Sequence, residues 1–328
     1  MSPDRETALW MLRNMLLSRH YENALKAAYM EGKSPRFNMA NGPIPGEMHL
    51  SSGQEPCAVG VCAHLKPEDF VSATHRPHHI AIAKGVGLNA MTAEIFGKAT
   101  GLSGGRGGHM HLFDDSVNFC CSGIIGEGMG PAVGAALGRR LRGDAGIAVS
   151  FIGEGAANQG AFHESLNLAA VWNVGVIFVI EDNAWGISVS KESSTAVASN
   201  AERAAGYSMP GYRVDSNCPD DIYRIAGEAV ERARSGGGPS LLELKTTRLE
   251  GHFMGDAEQY RPEEERAHLD SQDPIPPYRS KLVASGTISD EDYETLDAQA
   301  AATVEAAMQY ARESALPDLE EAYRHVYA

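Results

Sequence analysis

Apolar residues fall at Leu9, Leu12, Leu16, Tyr21, Leu25 and Ala28. That spacing is close to the repeat of an amphipathic helix and predicts one over 7–31. The pattern then dissolves, because SPRFNMANGPIPGEMHLSSG, 34–53, mixes prolines with glycine and asparagine in loop-forming combinations. A second helix is expected to begin at Gln54. From Leu102 to Gly108 the chain reads LSGGRGG, too glycine-rich for a regular element. A long loop inside a compact domain is usually functional, with a plain linker as the alternative.

Beyond Gly123 the rhythm becomes regular. Helical spacing over Gly130–Leu141 precedes an all-apolar strand over Gly146–Ile152, and a helix over Gln159–Trp172 precedes a strand over Val174–Glu181. Pro219–Ser235 then reads as a helix and Ser240–Lys245 as a strand. Apolar strands alternating with helices predict an α/β fold, a mostly parallel sheet with helices on both faces. The tail from Pro274 is polar and helical, with Ser289 suited to an N-cap. The expected organisation is a helical segment and loop over 1–50, an α/β domain over 51–273 and a helical extension over 274–328.

Composition narrows the function classes. The 328 residues are 43% hydrophobic and 22% charged, enough for a sizeable core. Acids outnumber bases 43 to 28, a net charge of -15, which argues against nucleic acid or anionic membrane as a partner. Any phosphate must therefore be held by a local site. The opening MSPDRETALWMLRNMLL carries acids where a signal peptide would carry bases, and the expected location is the cytoplasm. Cys57, Cys62, Cys120, Cys121 and Cys218 form no C-x-x-C pair and read as small buried hydrophobes.

The chemistry begins where an apolar strand stops at Gly153-Glu154-Gly155. Asp182-Asn183 follows the next strand, and ligands of open α/β sheets gather beyond such carboxyl ends. A carboxylate, an amide oxygen and a backbone carbonyl suit a small hard cation; Mg²⁺ completes its shell with water and phosphate. The glycines admit a phosphate close to the backbone, and a helix beginning near Gln159 would aim its amides at it. A diphosphate carried on Mg²⁺ is expected. For GEG alone, a turn with a solvated acid is the alternative.

The stretch GEGAANQGAFHESLNLAAVWNVGVIFVIEDNAWG resembles the thiamin diphosphate signature, a Gly-Asp-Gly followed one strand later by Asn-Asn. That signature occurs in α subunits of two-oxoacid dehydrogenase E1 components. GGRGGHMHLF, SGIIGEGMGPAVGAALG, GPSLLELKTTR and GHFMGD extend the resemblance from about His20 to Lys281. THRPHHIAIAKG and GHFMGDAEQYRP are most similar to the acetoin dehydrogenase branch.

The resemblance implies a thiamin diphosphate-binding fold and a set of site residues. Glu154, the Asn183 side chain and the Trp185 carbonyl would hold Mg²⁺. Arg76 and Arg248 would grip the diphosphate beside His75, Gly153, and the amides of Gly155 and Ala156. Gly123 and Ile125 would meet the aminopyrimidine ring, with Gly123 favoured because no Cβ fits there. His49 and His252 would serve acid/base roles over the reacting centre, with His78 and His79 as further candidates. His109 and His111 read as structural. The family has Asp at 154; Glu adds about 1.5 Å of reach. Phe253 stands where mitochondrial pyruvate dehydrogenase has a regulatory serine, and Glu250 replaces a family histidine.

The same resemblance implies an E1 β subunit in an α2β2 heterotetramer, because the glutamate that activates the cofactor comes from that chain. It implies acetoin or a 2-oxo acid such as pyruvate as substrate and a lipoyl-bearing E2 as acyl acceptor. Two alternatives stay open: a biosynthetic two-carbon transferase, and a non-catalytic cofactor-binding paralogue.

Overall fold

Each central strand divides its side chains between two cores. Val149 and Phe151 enter one apolar cluster while Ala148 and Ile152 enter another; on the next strand Ile177 and Val179 oppose Val176, Phe178 and Ile180. Successive strand residues point to opposite faces, so an all-apolar run can be stable only when both faces are covered. This computed structural model describes residues 2–33 and 37–324. Three residues of the expected 34–53 loop and the tail residues 325–328 lie outside the described residues.

The strands are β1 (Phe70–Ala73), β2 (Phe113–Asp114), β3 (Phe119–Cys121), β4 (Ala148–Gly153), β5 (Val176–Asp182), β6 (Trp185–Gly186), β7 (Val189–Ser190), β8 (Gly211–Val214) and β9 (Ser240–Lys245). Seven form one sheet in the order β2-β3-β1-β4-β5-β9-β8, parallel except at β2. The pair β6–β7 is a separate antiparallel ribbon.

The helices are α1 (Arg5–Met30), α2 (Glu55–Cys62), α3 (His78–Lys84), α4 (Leu88–Ile95), α5 (Met129–Leu141), α6 (Gly160–Trp172), α7 (Lys191–Ser194), α8 (Pro219–Arg234), α9 (Glu263–His268), α10 (Ile275–Ala284) and α11 (Asp290–Glu313). Helices α5 and α6 cover one face; α1, α2, α3, α4, α8 and the tail helices α10 and α11 cover the other. Asp4 caps α1 through the Thr7 N–H, and Ser289 with Asp292 forms a reciprocal capping box on α11. The α/β fold with a mostly parallel sheet is as the patterning predicted.

Sheet order positions the site. From β1 the chain moves outward to β3, whereas from β4 it moves the opposite way to β5. Their carboxyl ends therefore diverge and open a crevice. Gly153 lies level with Glu181 and Asp182 level with Lys245. Residues that follow β1, β4, β5 and β9 accordingly leave at one edge.

The glycine loop has a different task. Glu94, buried at the end of α4, accepts the N–H groups of Ser103 at 2.7 Å, Gly105 at 2.9 Å and Gly107 at 2.6 Å. Gly105 has φ +77°, and a Cβ there would sit 2.5 Å from the Gly97 carbonyl carbon. The loop winds around a single carboxylate and delivers residues 109–111 to the crevice side.

Candidate active site

A cavity of about 390 Å³ opens at the carboxyl edge between β1 and β4. Thr74, His75 and Arg76 enter it after β1, Glu154 to Ala156 after β4, Asn183 and Trp185 after β5, and Arg248 and His252 after β9. Asp182, the last residue of β5, turns away to pair with Lys191.

The two arginines are almost fully buried, at 3% and 1% exposure. Arg76 donates to the Leu50 carbonyl at 2.6 Å and to the backbone and ring of His252. Arg248 donates to Tyr260 Oη at 2.7 Å and approaches the His252 ring; its Nε has no partner among the described residues. None of these acceptors is a carboxylate. Burial and the charge of Arg248 together pull the Arg76 guanidinium down to about 9. Two buried like charges without a counter-ion call for an anion.

Glu154 presents the opposite case. It is 2% exposed, and its one hydrogen bond to another described residue comes from the Asn183 N–H, 3.3 Å from Oε2. Burial, with Asp182 adding repulsion, raises its carboxyl to about 7. Asn183 is aimed by Gln54, whose Oε1 accepts from Nδ2 at 2.9 Å and so turns the amide oxygen the other way. This pairing suits a cation.

Backbone amides complete the cradle. The first bond of the short turn after β4 runs from the Ala157 N–H to the Glu154 carbonyl, so the Gly155 and Ala156 amides stand ahead of it. A Cβ at Gly153 would meet no protein atom within 4 Å, and one at Gly155 would make only ordinary van der Waals contact with Gly186 Cα at 3.5 Å. A 3-10 turn rather than α6 faces the cavity, because α6 starts only at Gly160.

The chain matches the profile of the dehydrogenase E1 component over residues 28–320. It is 42% identical to the α subunit of acetoin:2,6-dichlorophenolindophenol oxidoreductase of Bacillus subtilis, across 100% of this chain and 95% of that protein. It is 41% identical to the subunit of the same name in Cupriavidus necator, across 99% and 95%. With the pyruvate dehydrogenase E1 α subunit of Rhizobium meliloti it shares 34% identity, across 98% and 90%. The chain belongs to the dehydrogenase E1 component family.

In this E1 chain His49, His75, His109 and His252 form one group. His49 meets His75 and His252 edge to face at 4.7 Å and 5.1 Å between ring centroids, and His109 at a tilt at 5.4 Å. His75 and His252 line the cavity, and His49 stands behind them, 4% exposed. Burial and nearby guanidinium charge push His49 down to about 2 and His252 to about 3, and hold His75 well below its usual value. All three are therefore neutral imidazoles at physiological pH. An anion between Arg76 and Arg248 would relax that depression.

Several expectations need adjustment. His78 does not reach the cavity: the first turn of α3 carries it inward, where Nδ1 meets Glu22 Oε1 at 3.0 Å. His79 is likewise buried against Glu181, 2.7 Å away. Gly123 stands between the lining residues Ser122 and Ile124 without lining the cavity itself, and a Cβ there would meet Met110 Sδ at 3.3 Å. Ile125 lines the mouth and is exposed. His111 is exposed, but His109 is 5% exposed and bonded to His49.

Gln54, Asp256 and Tyr260 were not anticipated. Asp256 accepts from the His252 N–H at 2.8 Å and from Tyr260 Oη at 2.6 Å, tying His252 to Arg248. The only sequence signal for Asp256 and Tyr260 was the GHFMGDAEQYRP match, which marks a segment but assigns no partner. Among the described residues no helix is long and apolar enough to cross a membrane.

Proposed function

We propose that this chain is the α subunit of a thiamin diphosphate-dependent E1 enzyme that acts on acetoin or a 2-oxo acid and passes the acyl unit to a lipoyl-bearing E2. One observation carries the reading. Two buried guanidiniums lacking an acid face a buried carboxylate lacking a base across one crevice. An Mg²⁺-diphosphate neutralises both sides at once.

Arg76, Arg248 and the Gly155 and Ala156 amides would hold the diphosphate. Glu154, Asn183 and the Trp185 carbonyl would hold Mg²⁺. The bound cofactor would supply an electron sink for the pair left on the substrate's carbonyl carbon. The chain's own contribution is orientation: Asp256 and the two arginines hold the His252 ring at the wall where a carbonyl oxygen would lie.

Ile124, Ile125, Ile187 and Val189 rim the mouth with exposures of 64%, 48%, 56% and 50%. An apolar rim on an otherwise acidic protein favours cover by another chain. The E1 β subunit, in an α2β2 assembly, is the proposed cover, and the cytoplasm the proposed location.

The test is calorimetry of the chain co-expressed with its β partner, titrated with thiamin diphosphate in the presence and absence of Mg²⁺. Binding that requires Mg²⁺ is expected. Its absence would overturn the enzymatic reading.

A further inference from the structure

Residues 49–54 belong to no helix or strand, yet the site draws on them three times. His49 backs the histidine group, the Leu50 carbonyl accepts from Arg76 Nη1 at 2.6 Å, and Gln54 aims Asn183. Without a helix or sheet ladder, the backbone groups of this stretch must be held by other partners. The Ser52 and Gly53 carbonyls are held from beyond β9, by the Leu249 N–H and the Thr246 hydroxyl. Nearer Leu50 the holders are His109, which takes the His49 N–H at 3.2 Å, and Glu22 of α1. Glu22 is 1% exposed, and its Oε1 accepts from the Ser51 N–H at 3.1 Å and from the Ser51 hydroxyl. A third donor enters the same oxygen: His78 Nδ1, at 3.0 Å. Ser51 is one residue from Leu50, and His78 is two from Arg76. One oxygen of α1 therefore ties together the two stretches that meet in the Arg76–Leu50 bond. Burial alone would raise the Glu22 carboxyl; the pairing with His78 and the Ser51 hydrogen bonds outweigh that and hold it below its usual value. It is an ionised, purely accepting group at neutral pH.

Resting on the E1 reading above, we propose that Glu22 is a positioning residue for the cofactor's diphosphate: by fixing Ser51 and His78 with one oxygen, it sets the Leu50 carbonyl that orients the Arg76 guanidinium. Reach, not charge, is what this role needs. All three donors enter Oε1, while Oε2 has no partner among the described residues, and neither has Ser18 Oγ, one turn earlier on α1. An amide in place of the carboxylate keeps the accepting oxygen and loses no hydrogen bond, because its nitrogen takes the place of Oε2. A carboxylate shorter by one methylene keeps the charge but withdraws the oxygen by about 1.5 Å. A buried ion pair that served only the fold would respond in the opposite order, since removing the charge leaves His78 without its counter-ion.

The proposal is tested on the α/β complex, by calorimetric titration of thiamin diphosphate at saturating Mg²⁺ into wild type, Glu22→Gln and Glu22→Asp. The Asp variant should bind about tenfold more weakly, at the lower end of what is lost when the partner that supports a ligand's holder is removed, and the Gln variant within about threefold of wild type. Equal affinities in the two variants, or weaker binding in the Gln variant than in the Asp variant, overturn the proposal. A crystal structure of the Asp variant gives a second, independent reading. There the Arg76 guanidinium should have left the Leu50 carbonyl, and a bond retained at 2.6 Å overturns the role of Glu22. The two readings fail separately: normal wild-type binding with an unaffected Asp variant sinks only this proposal, whereas no Mg²⁺-dependent binding in wild type sinks the E1 reading itself.

Discussion

Glu154, just past β4, and Glu243, within β9, are both buried acids, at 2% and 1% exposure, yet their surroundings differ completely. Glu243, on β9, accepts from Lys191 Nζ at 2.6 Å, from the Ser199 hydroxyl and from the Ala201 N–H at 3.3 Å. Burial alone would raise its carboxyl; the Lys191 and Ser199 hydrogen bonds outweigh that and hold it well below its usual value. Glu154 has a single amide contact among the described residues, and burial prevails. An acid that serves the fold has its charge answered from within the chain, by a cation as at Glu243 or by a set of N–H donors as at Glu94. An acid that serves a ligand leaves its charge uncompensated, at a cost in stability.

The largest expected effect breaks the contrast from the ligand side. Glu154→Ala in the α/β complex should weaken Mg²⁺-dependent thiamin diphosphate binding at least about 100-fold, beyond the 10–100-fold typical of residues that merely support a ligand. The thermal midpoint of the cofactor-free protein should hold or rise. Unchanged affinity by calorimetry would make Glu154 a second structural acid.

Next comes the fold side. Lys191→Met leaves Asp182 and Glu243 buried without their cation and should cost about 3–5 kcal/mol in urea unfolding, as broken buried pairs do. Cofactor affinity of the folded variant should change only a few-fold. A loss under about 1 kcal/mol, the scale of an exposed pair, would show the cluster to be solvated.

The smallest effect is a pH dependence. The Glu243 carboxyl is depressed on folding, so its stabilisation is present above the ordinary value of 4.5 and is lost as pH falls below it. Urea midpoints from pH 6 to pH 3 should fall in wild type and fall less in Lys191→Met. Equal slopes would remove the lysine as the cause.

Legibility in the sequence follows how local each feature is. Strands β4, β5 and β9 and helices α5, α6 and α8 declare themselves through apolar runs and helical spacing. Strand β1 does not: FVSA spans four residues, and buried Ser72 is tolerable only because its hydroxyl reaches the Gly128 carbonyl and Ser150. Glu154 and Asn183 were visible as a pair because both follow readable strands. The glycine loop was visible but its purpose was not, since Glu94 organises it from the preceding helix. His78 stands two residues from Arg76 in the chain, yet a helical turn sends it to Glu22.

Local order along the chain thus settles the alternation of strand and helix, the two-sided core and the chemical types at each strand end, because those depend on neighbours a few residues apart. Which of the twelve histidines share a pocket is settled only by folding. His49 meets His109 across 60 positions, and Arg76 meets His252 across 176. Such meetings depend on the order of strands in the sheet and on a loop wound around a buried carboxylate, and no periodicity in the sequence encodes either.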